Sequence, residues 1–205
     1  MNNSNLYIFT YAAVMVIIVA ALLSLAATGL KPLQEKNQEI AQKLDILSSV
    51  SKGEEAGDAE SKNDYVEAEY SKYITETFAV NSAGSRVDGV DAFGIDLHKE
   101  NAKPVEERNL PVYVCTDDDG SKKFIFPVRG GGLWGPIWGY IAMEDDLETI
   151  AGAVFDHEGE TPGLGAEINT DDFEKQFLGK KIFKESGEFV SIMVNKAGIP
   201  ETINS

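Results

Sequence analysis

The feature that most constrains this chain is its start. Residues 1–30 carry no charged side chain, and 6–30 read LYIFTYAAVMVIIVAALLSLAATGL. A helix of that length spans a hydrocarbon core of about 30 Å. The run 14–19, rich in β-branched residues, suits lipid, where the backbone bonds to itself and side chains need only be apolar. A cleavable signal peptide has a basic start, a shorter apolar core and a small-x-small exit. Here no Lys or Arg precedes the core. No polar face interrupts the run, which argues against a buried helix of a soluble core. Residues 1–30 are therefore expected to form an uncleaved transmembrane anchor.

The remaining stretch, 31–205, has the length of one folded domain. The chain carries 34 acids against 18 bases, a formal charge of −16. Such a surface repels phosphate backbones and anionic lipid headgroups. Nucleic acid is thus excluded as a partner class, and the membrane link rests on an inserted segment. Cys115 is the only cysteine. It can neither form an internal disulfide nor build a zinc or iron–sulfur site alone, and reads as a small buried hydrophobe on a strand.

Residues 31–64 read as a helical stalk and polar linker. Leu33, Ile40, Leu44 and Leu47 recur at helical spacings through 31–47, and 48–64 is rich in Ser, Gly, Glu, Asp and Lys. The domain is expected over 65–205. Strands are predicted at 74–80, 110–116, 123–128, 138–143, 147–155 and 191–194, with a hairpin turn at Asp117-Asp118-Asp119-Gly120. That acid triplet lacks calcium-loop spacing. A helix is predicted over 169–183, capped by Asn169 or Thr170, with Asp171 and Asp172 in its first turn. The order implies an α+β fold with an antiparallel sheet and few helices. No G-x-G-x-x-G or Gly-Lys-Ser/Thr phosphate loop is present.

Two loops stand out. One is Arg129-Gly130-Gly131-Gly132-Leu133-Trp134-Gly135-Pro136, glycine-dense with a tryptophan. The other runs from His157 to Gly165, HEGETPGLG. Pro162 and Gly163 occupy the positions a type II turn favours. Gly163 and Gly165 allow the backbone to approach a flat or anionic ligand, while Thr161 adds a hydroxyl and Leu164 an apolar face. On the residues alone, a structural turn and a ligand loop both remain open. A metal site at His157, Glu158 and Glu160 lacks a second nearby histidine, since His98 is far along the chain. No nucleophile elbow for a hydrolase exists.

HEGETPGLGAEI (157–168), FLGKKIF (177–183) and GGLWGPIWGYIAM (131–143) closely resemble the C subunit of the sodium-translocating NADH:quinone oxidoreductase. The ETPGLG motif alone is shared with the G subunit of the related Rnf electron-transport complex. The resemblance implies an FMN-binding domain that relays single electrons inside a membrane complex, from NADH-derived centres of other subunits toward quinone, coupled to sodium export. Activity would exist only in the complex, as a Na+-translocating NADH:ubiquinone reductase. It further implies that Leu133 and Trp134 sit at the isoalloxazine edge, that Glu160, Thr161, Gly163 and Leu164 line the flavin, and that Lys196 balances phosphate or reduced-flavin charge. No catalytic or metal-binding residue is implied.

The family attaches FMN covalently to the last threonine of a Ser-Gly-Ala/Gly-Ser/Thr-x-Thr motif. The present sequence ends at Ser205 without it, so no attachment threonine is assigned, and the expectation is a chain that stops short of the motif. A flavin-free, membrane-anchored assembly module of the same fold and the G subunit of the Rnf electron-transport complex are the competing readings. The family places the domain on the periplasmic side of the bacterial inner membrane. Lys31, Lys36 and Lys43, following the anchor, favour the cytoplasm by the basic-residue rule; the resemblance outweighs them.

Overall fold

The computed structural model describes residues 3–194. Two units emerge, Met1–Ala41 and Gln42–Ser205. The described residues of the first form a single helix, the greater part of α1 (Asn3–Ser48). Leu6, Phe9, Ile17 and Leu23 along it are all exposed, and the helix is long and apolar enough to cross a membrane. Pro32 lies inside α1, just past the apolar stretch, where it deletes one i→i−4 hydrogen bond.

The second unit begins at Gln42, earlier than the start at 65 that the linker composition implies. Ile46, Leu47, Ser49, Val50 and Ala56 are buried, so part of 31–64 is core and not an exposed tether. Helix α2 (Lys62–Tyr73) starts where the Ser61 hydroxyl accepts the Asp64 N–H. It runs directly into β1 (Ile74–Val80) and then β2 (Arg86–Val87). A short helix α3 (Leu97–Asn101) precedes the meander β3 (Leu110–Thr116), β4 (Lys122–Gly131), β5 (Pro136–Met143) and β6 (Ile150–His157). The sheet order is β2-β1-β3-β4-β5-β6, with every pairing antiparallel. The α+β expectation holds.

Because side chains alternate along a strand, the pairing register sorts residues onto two faces. On one, Phe126, Ile141 and Ala153 align across β4, β5 and β6, joined by Met143, Ile150 and Phe155. The Phe155, Phe173 and Phe177 rings meet there at 5.1–5.9 Å between centroids. On the other face lie Tyr113, Cys115, Ile125, Tyr140 and Ala142, all buried. Tyr70, Phe93, Tyr113 and Tyr140 form a chain of edge-on rings on that side. Burial pushes the Cys115 thiol up to about 11, with the Asp117 charge adding to it, as befits an inert core cysteine.

Two predicted elements differ. The helix expected over 169–183 is reduced to α4 (Asp171–Glu174) and a 3₁₀ turn, Lys175–Phe177. The cause is the free edge of β6. Gly179 donates to the Ile150 carbonyl, and the Ile150 N–H donates to the Lys180 carbonyl. Glu174 accepts the Phe155 N–H at 2.7 Å. Satisfying these edge groups outweighs continuing a helix. Residues 191–194 form no strand; Phe183 pairs with Phe189 instead, and Met193 and Val194 are exposed.

Asp45 belongs to the second unit, in the last turns of α1. Burial, then the charges of Asp156 and Glu174, raise its carboxyl to about 7, with Lys62 opposing in part. An acid whose folded pKa exceeds its unfolded value keeps extra protons in the fold. Its contribution is complete below its ordinary 3.8 and is lost as pH rises through about 7. Asp45→Asn should therefore stabilise the chain at pH 8, by roughly 2 kcal/mol once partial solvent screening is allowed for. The gain should shrink toward pH 5. Thermal unfolding of the detergent-solubilised chain at both pH values checks this; an equal effect at both pH values would refute it.

Candidate functional site

The hairpin between β4 and β5 ends in Gly132-Leu133-Trp134-Gly135, closed by the Gly132 N–H donating to the Gly135 carbonyl at 2.8 Å. Two-residue hairpin tips hold themselves best when their central residues take positive φ. Neither Leu133 nor Trp134 does so. This tip is held from outside: the Trp134 N–H donates to Glu160 Oε1 at 2.8 Å.

Glu160 arrives from the chain leaving β6. In the β5–β6 register, Ile137 lies opposite His157, which brings the end of β6 beside the start of β5. The Glu160 N–H donates to His157 Nδ1 at 3.3 Å, fixing the first bend. Then Thr161–Leu164 makes the expected type II turn. The Leu164 N–H donates to the Thr161 carbonyl at 3.1 Å, and Gly163 has φ 77°. The Gly163 N–H also donates to Glu167 Oε1 at 2.8 Å, tying the turn to the 3₁₀ segment Gly165–Asn169.

Glu160 is the joint between the two loops. It is 9% exposed, an unusual state for a carboxylate. A Cβ on Gly132 would collide with one of its carboxylate oxygens, and a Cβ on Gly165 with the other. Those two glycines are needed for close approach. The Leu133, Trp134 and Leu164 side chains, by contrast, are 82%, 70% and 74% exposed. Two adjoining loops thus present three large apolar residues to solvent around one sequestered charge.

The residues singled out in the sequence fall as follows. Leu133, Trp134, Glu160, Thr161, Gly163 and Leu164 all lie on these two loops. Lys196 lies outside the described residues. Sequence reasoning gives no role to Arg129 and treats His98 as remote. An open groove of about 580 Å³ runs beside the hairpin tip, lined by His98 and Asn101 of α3, Arg129 of β4, and Gly131, Gly135 and Pro136. Arg129 is legible as the one charge heading a glycine run. His98 is not, because only the docking of α3 on β4 brings it there.

Known proteins share this domain and its fold. Residues 132–201 match the FMN-binding domain family. The chain is 30% identical to the C subunit of the Na(+)-translocating NADH-quinone reductase of Vibrio vulnificus, over 90% of this chain and 75% of that protein. The crystal structure of the same subunit from Parabacteroides distasonis is 42% identical, with a TM-score of 0.71 over 83% of this chain and 78% of that one. Shewanella oneidensis NqrC shares the fold at 22% identity, with a TM-score of 0.66 over 81% and 80% of the two chains. With relatives this similar over most of its length, the chain belongs to the NqrC family, the C subunits of Na(+)-translocating NADH-quinone reductases.

Proposed function

We propose that this chain carries FMN as a one-electron relay within a membrane-bound sodium-translocating NADH:quinone reductase. It passes electrons from NADH-derived centres of partner subunits toward quinone, with no turnover outside the complex. The observation that carries this reading is the Glu160 joint. It holds Leu133, Trp134 and Leu164 exposed on fixed backbone, inside the stretch that matches the FMN-binding family. Apolar surface held open to water is recovered only when another apolar surface covers it.

The residues fit a flavin. Leu133, Trp134 and Leu164 supply apolar and aromatic faces for a flat ring and exclude water from it. Thr161 offers a hydroxyl, and Gly163, with no Cβ, lets the turn's backbone come close. FMN, when bound, supplies a ring system that takes up and releases electrons one at a time. Glu160 acts differently from its neighbours. Its Oε1 is committed to the Trp134 N–H, so it positions the tip, and its fixed negative charge makes electron uptake nearby less favourable. Lys196 is assigned the opposite part, balancing phosphate or added negative charge.

The anchor is residues 1–30, a single pass through the bacterial inner membrane, with the second unit in the periplasm. Lys31, Lys36 and Lys43 oppose this by simple count. The family resemblance outweighs that count; neighbouring acids carry little weight in the basic-residue rule.

Glu160→Gln keeps an acceptor for Trp134 and should leave FMN affinity within about threefold while raising the flavin midpoint potential. Glu160→Ala leaves the N–H unpaired and should weaken FMN binding about tenfold or more, with faster exchange of the Trp134 amide in the flavin-free chain. Flavin-fluorescence titration, redox titration and hydrogen exchange measure these. Unchanged affinity, potential and exchange in both variants would remove Glu160 from the site.

Trp134→Ala and Leu133→Ala should each weaken FMN binding about tenfold with little loss of thermal stability, since both side chains are exposed. Wild-type affinity in both would count against the flavin reading. For topology, a reporter active only in the periplasm, fused after Ser205, should be active. Activity of a cytoplasm-only reporter at the same point would reverse the orientation.

A further inference from the structure

We infer that His157 is a positioning residue and a pH-sensitive catch for the two site loops: its neutral ring holds the bend that leads to Glu160, and protonation of the ring releases Glu160 and, with it, the Trp134 tip. The consequence for binding rests on the flavin reading above; the catch itself is a property of the flavin-free chain.

The first observation is the direction of one hydrogen bond. The Glu160 N–H donates to His157 Nδ1 at 3.3 Å, where an ordinary β-turn would use the carbonyl of residue 157. Accepting at Nδ1 requires a lone pair there, so the proton of the neutral ring sits on Nε2. An imidazolium carries a proton on both nitrogens and accepts nothing. Protonation therefore sets two donors against each other at the bend.

The second observation is how much hangs on that bend. Main-chain pairing with β5 ends one residue after His157, where the Glu158 N–H donates to the Pro136 carbonyl at 3.1 Å. The His157 N–H is committed to Asp156 Oδ1 at 2.7 Å, and Glu158 and Gly159 are exposed. Beyond the bend, Glu160 accepts the Trp134 N–H, and its carboxylate is packed between Gly132 and Gly165. A shift of the Glu160 backbone is thus passed to both loops.

The third observation is the charge around the ring. His157 is half-buried, so solvent protons reach it. Ile137 lies opposite it, and β5 carries no charged residue. Asp156, Glu158 and Glu160 belong to its own strand and loop. Glu167, on the 3₁₀ segment packed against β6, is committed to the Gly163 N–H. On α4, Glu174 accepts the Phe155 N–H, Asp171 pairs with Lys175 at 2.7 Å, and Asp172 lies beside it in sequence. Asp45 of α1 interacts with Asp156, and its own carboxyl is raised to about 7, by burial first. Acids prevail in this setting, and they favour a charged ring. The Glu160 N–H needs an uncharged one. The two demands oppose each other on the side-chain type that changes charge between about pH 5 and 8.

The test uses the full flavin-free chain in detergent, as wild type, His157→Asn, His157→Ala and Asp45→Asn, from about pH 8 to about pH 5. Asn keeps an acceptor in the place of Nδ1 that does not titrate, and Ala keeps none. Ring tautomer and titration are read by ¹⁵N NMR, with His98→Gln separating the two histidine signals. Protection of the Glu160 and Trp134 amides is read by hydrogen exchange, corrected for the intrinsic effect of pH, and FMN affinity by flavin fluorescence. Wild type should show a bare Nδ1 at the alkaline end, then lose amide protection and FMN affinity about fivefold as the ring charges. Asp45→Asn should keep that profile. His157→Asn should be flat near the high level, and His157→Ala flat at the low one. Protection unchanged while the ring titrates, a proton on Nδ1 at the alkaline end, or a slope that survives in His157→Asn overturns the inference. A slope lost in Asp45→Asn assigns the response to Asp45 and overturns it as well. Amide protection that follows the ring, with no FMN bound at any pH, supports the catch and overturns the flavin reading.

Discussion

The antiparallel register from β3 to β6 is the constraint on which the rest depends. Tyr113 opposite Ile125, Ile125 opposite Ala142, and Ala142 opposite Gly152 put one buried row under the tyrosine face. The neighbouring row, Phe126, Ile141 and Ala153, serves the phenylalanine face. A slip of one residue would exchange the rows and place both aromatic clusters against the wrong packing. Gly152 shows how tight the fit is. A Cβ there would run into the Ser49 carbonyl, so residues that look like linker are packed directly on the sheet. The same register brings the start of β5 beside the end of β6, and the two site loops meet only because of that.

Once the loops meet, one buried carboxylate decides their geometry. Taking a carboxylate out of water costs several kcal/mol unless hydrogen bonds replace the lost hydration. Glu160 recovers part of this from the Trp134 N–H, and Trp134 in turn gains a partner that its own turn does not supply. The arrangement is therefore reciprocal. Gly132 and Gly165 are required by the same charge, because any side chain at either would displace it.

Local chemistry explains which parts are legible in the sequence. The alternation of 74–80 and the apolar run of 110–116 mark β1 and β3 to the residue. The Thr161–Leu164 turn follows from Pro162 and Gly163 in the places a type II turn needs. Nonlocal demands are not legible. The helix expected from Thr170, Asp171 and Asp172 stops after Glu174, because Glu174, Gly179 and Lys180 are drawn to the backbone edge of β6. Ser49, Val50 and Ala56 read as part of a polar tether, since nothing in a Ser-, Gly- and Glu-rich stretch reveals that a sheet face lies against it. In the candidate site, the motif residues are visible as a motif. The burial of Glu160 beside exposed Leu133, Trp134 and Leu164 is not, nor is the approach of α3 that carries His98 to Arg129.

The division of labour between core and loops follows from these facts. Two aromatic clusters, one on each face of the sheet, supply the second unit's packing, and neither uses a residue of the two loops. The loops can then keep Leu133, Trp134 and Leu164 in water. These are local features that a sequence selected for stability alone would remove. Their unfavourable solvation is tolerable because Glu160, the turn at Gly163 and the register of β5 on β6 fix the backbone beneath them. A loop free to collapse would bury the leucines and the tryptophan against each other, and no flat surface would remain for a ligand. The rigidity of the joint and the exposure of the apolar side chains are therefore one property. Held open and pre-organised, the loops spare an incoming ring the ordering cost that a flexible pair would impose.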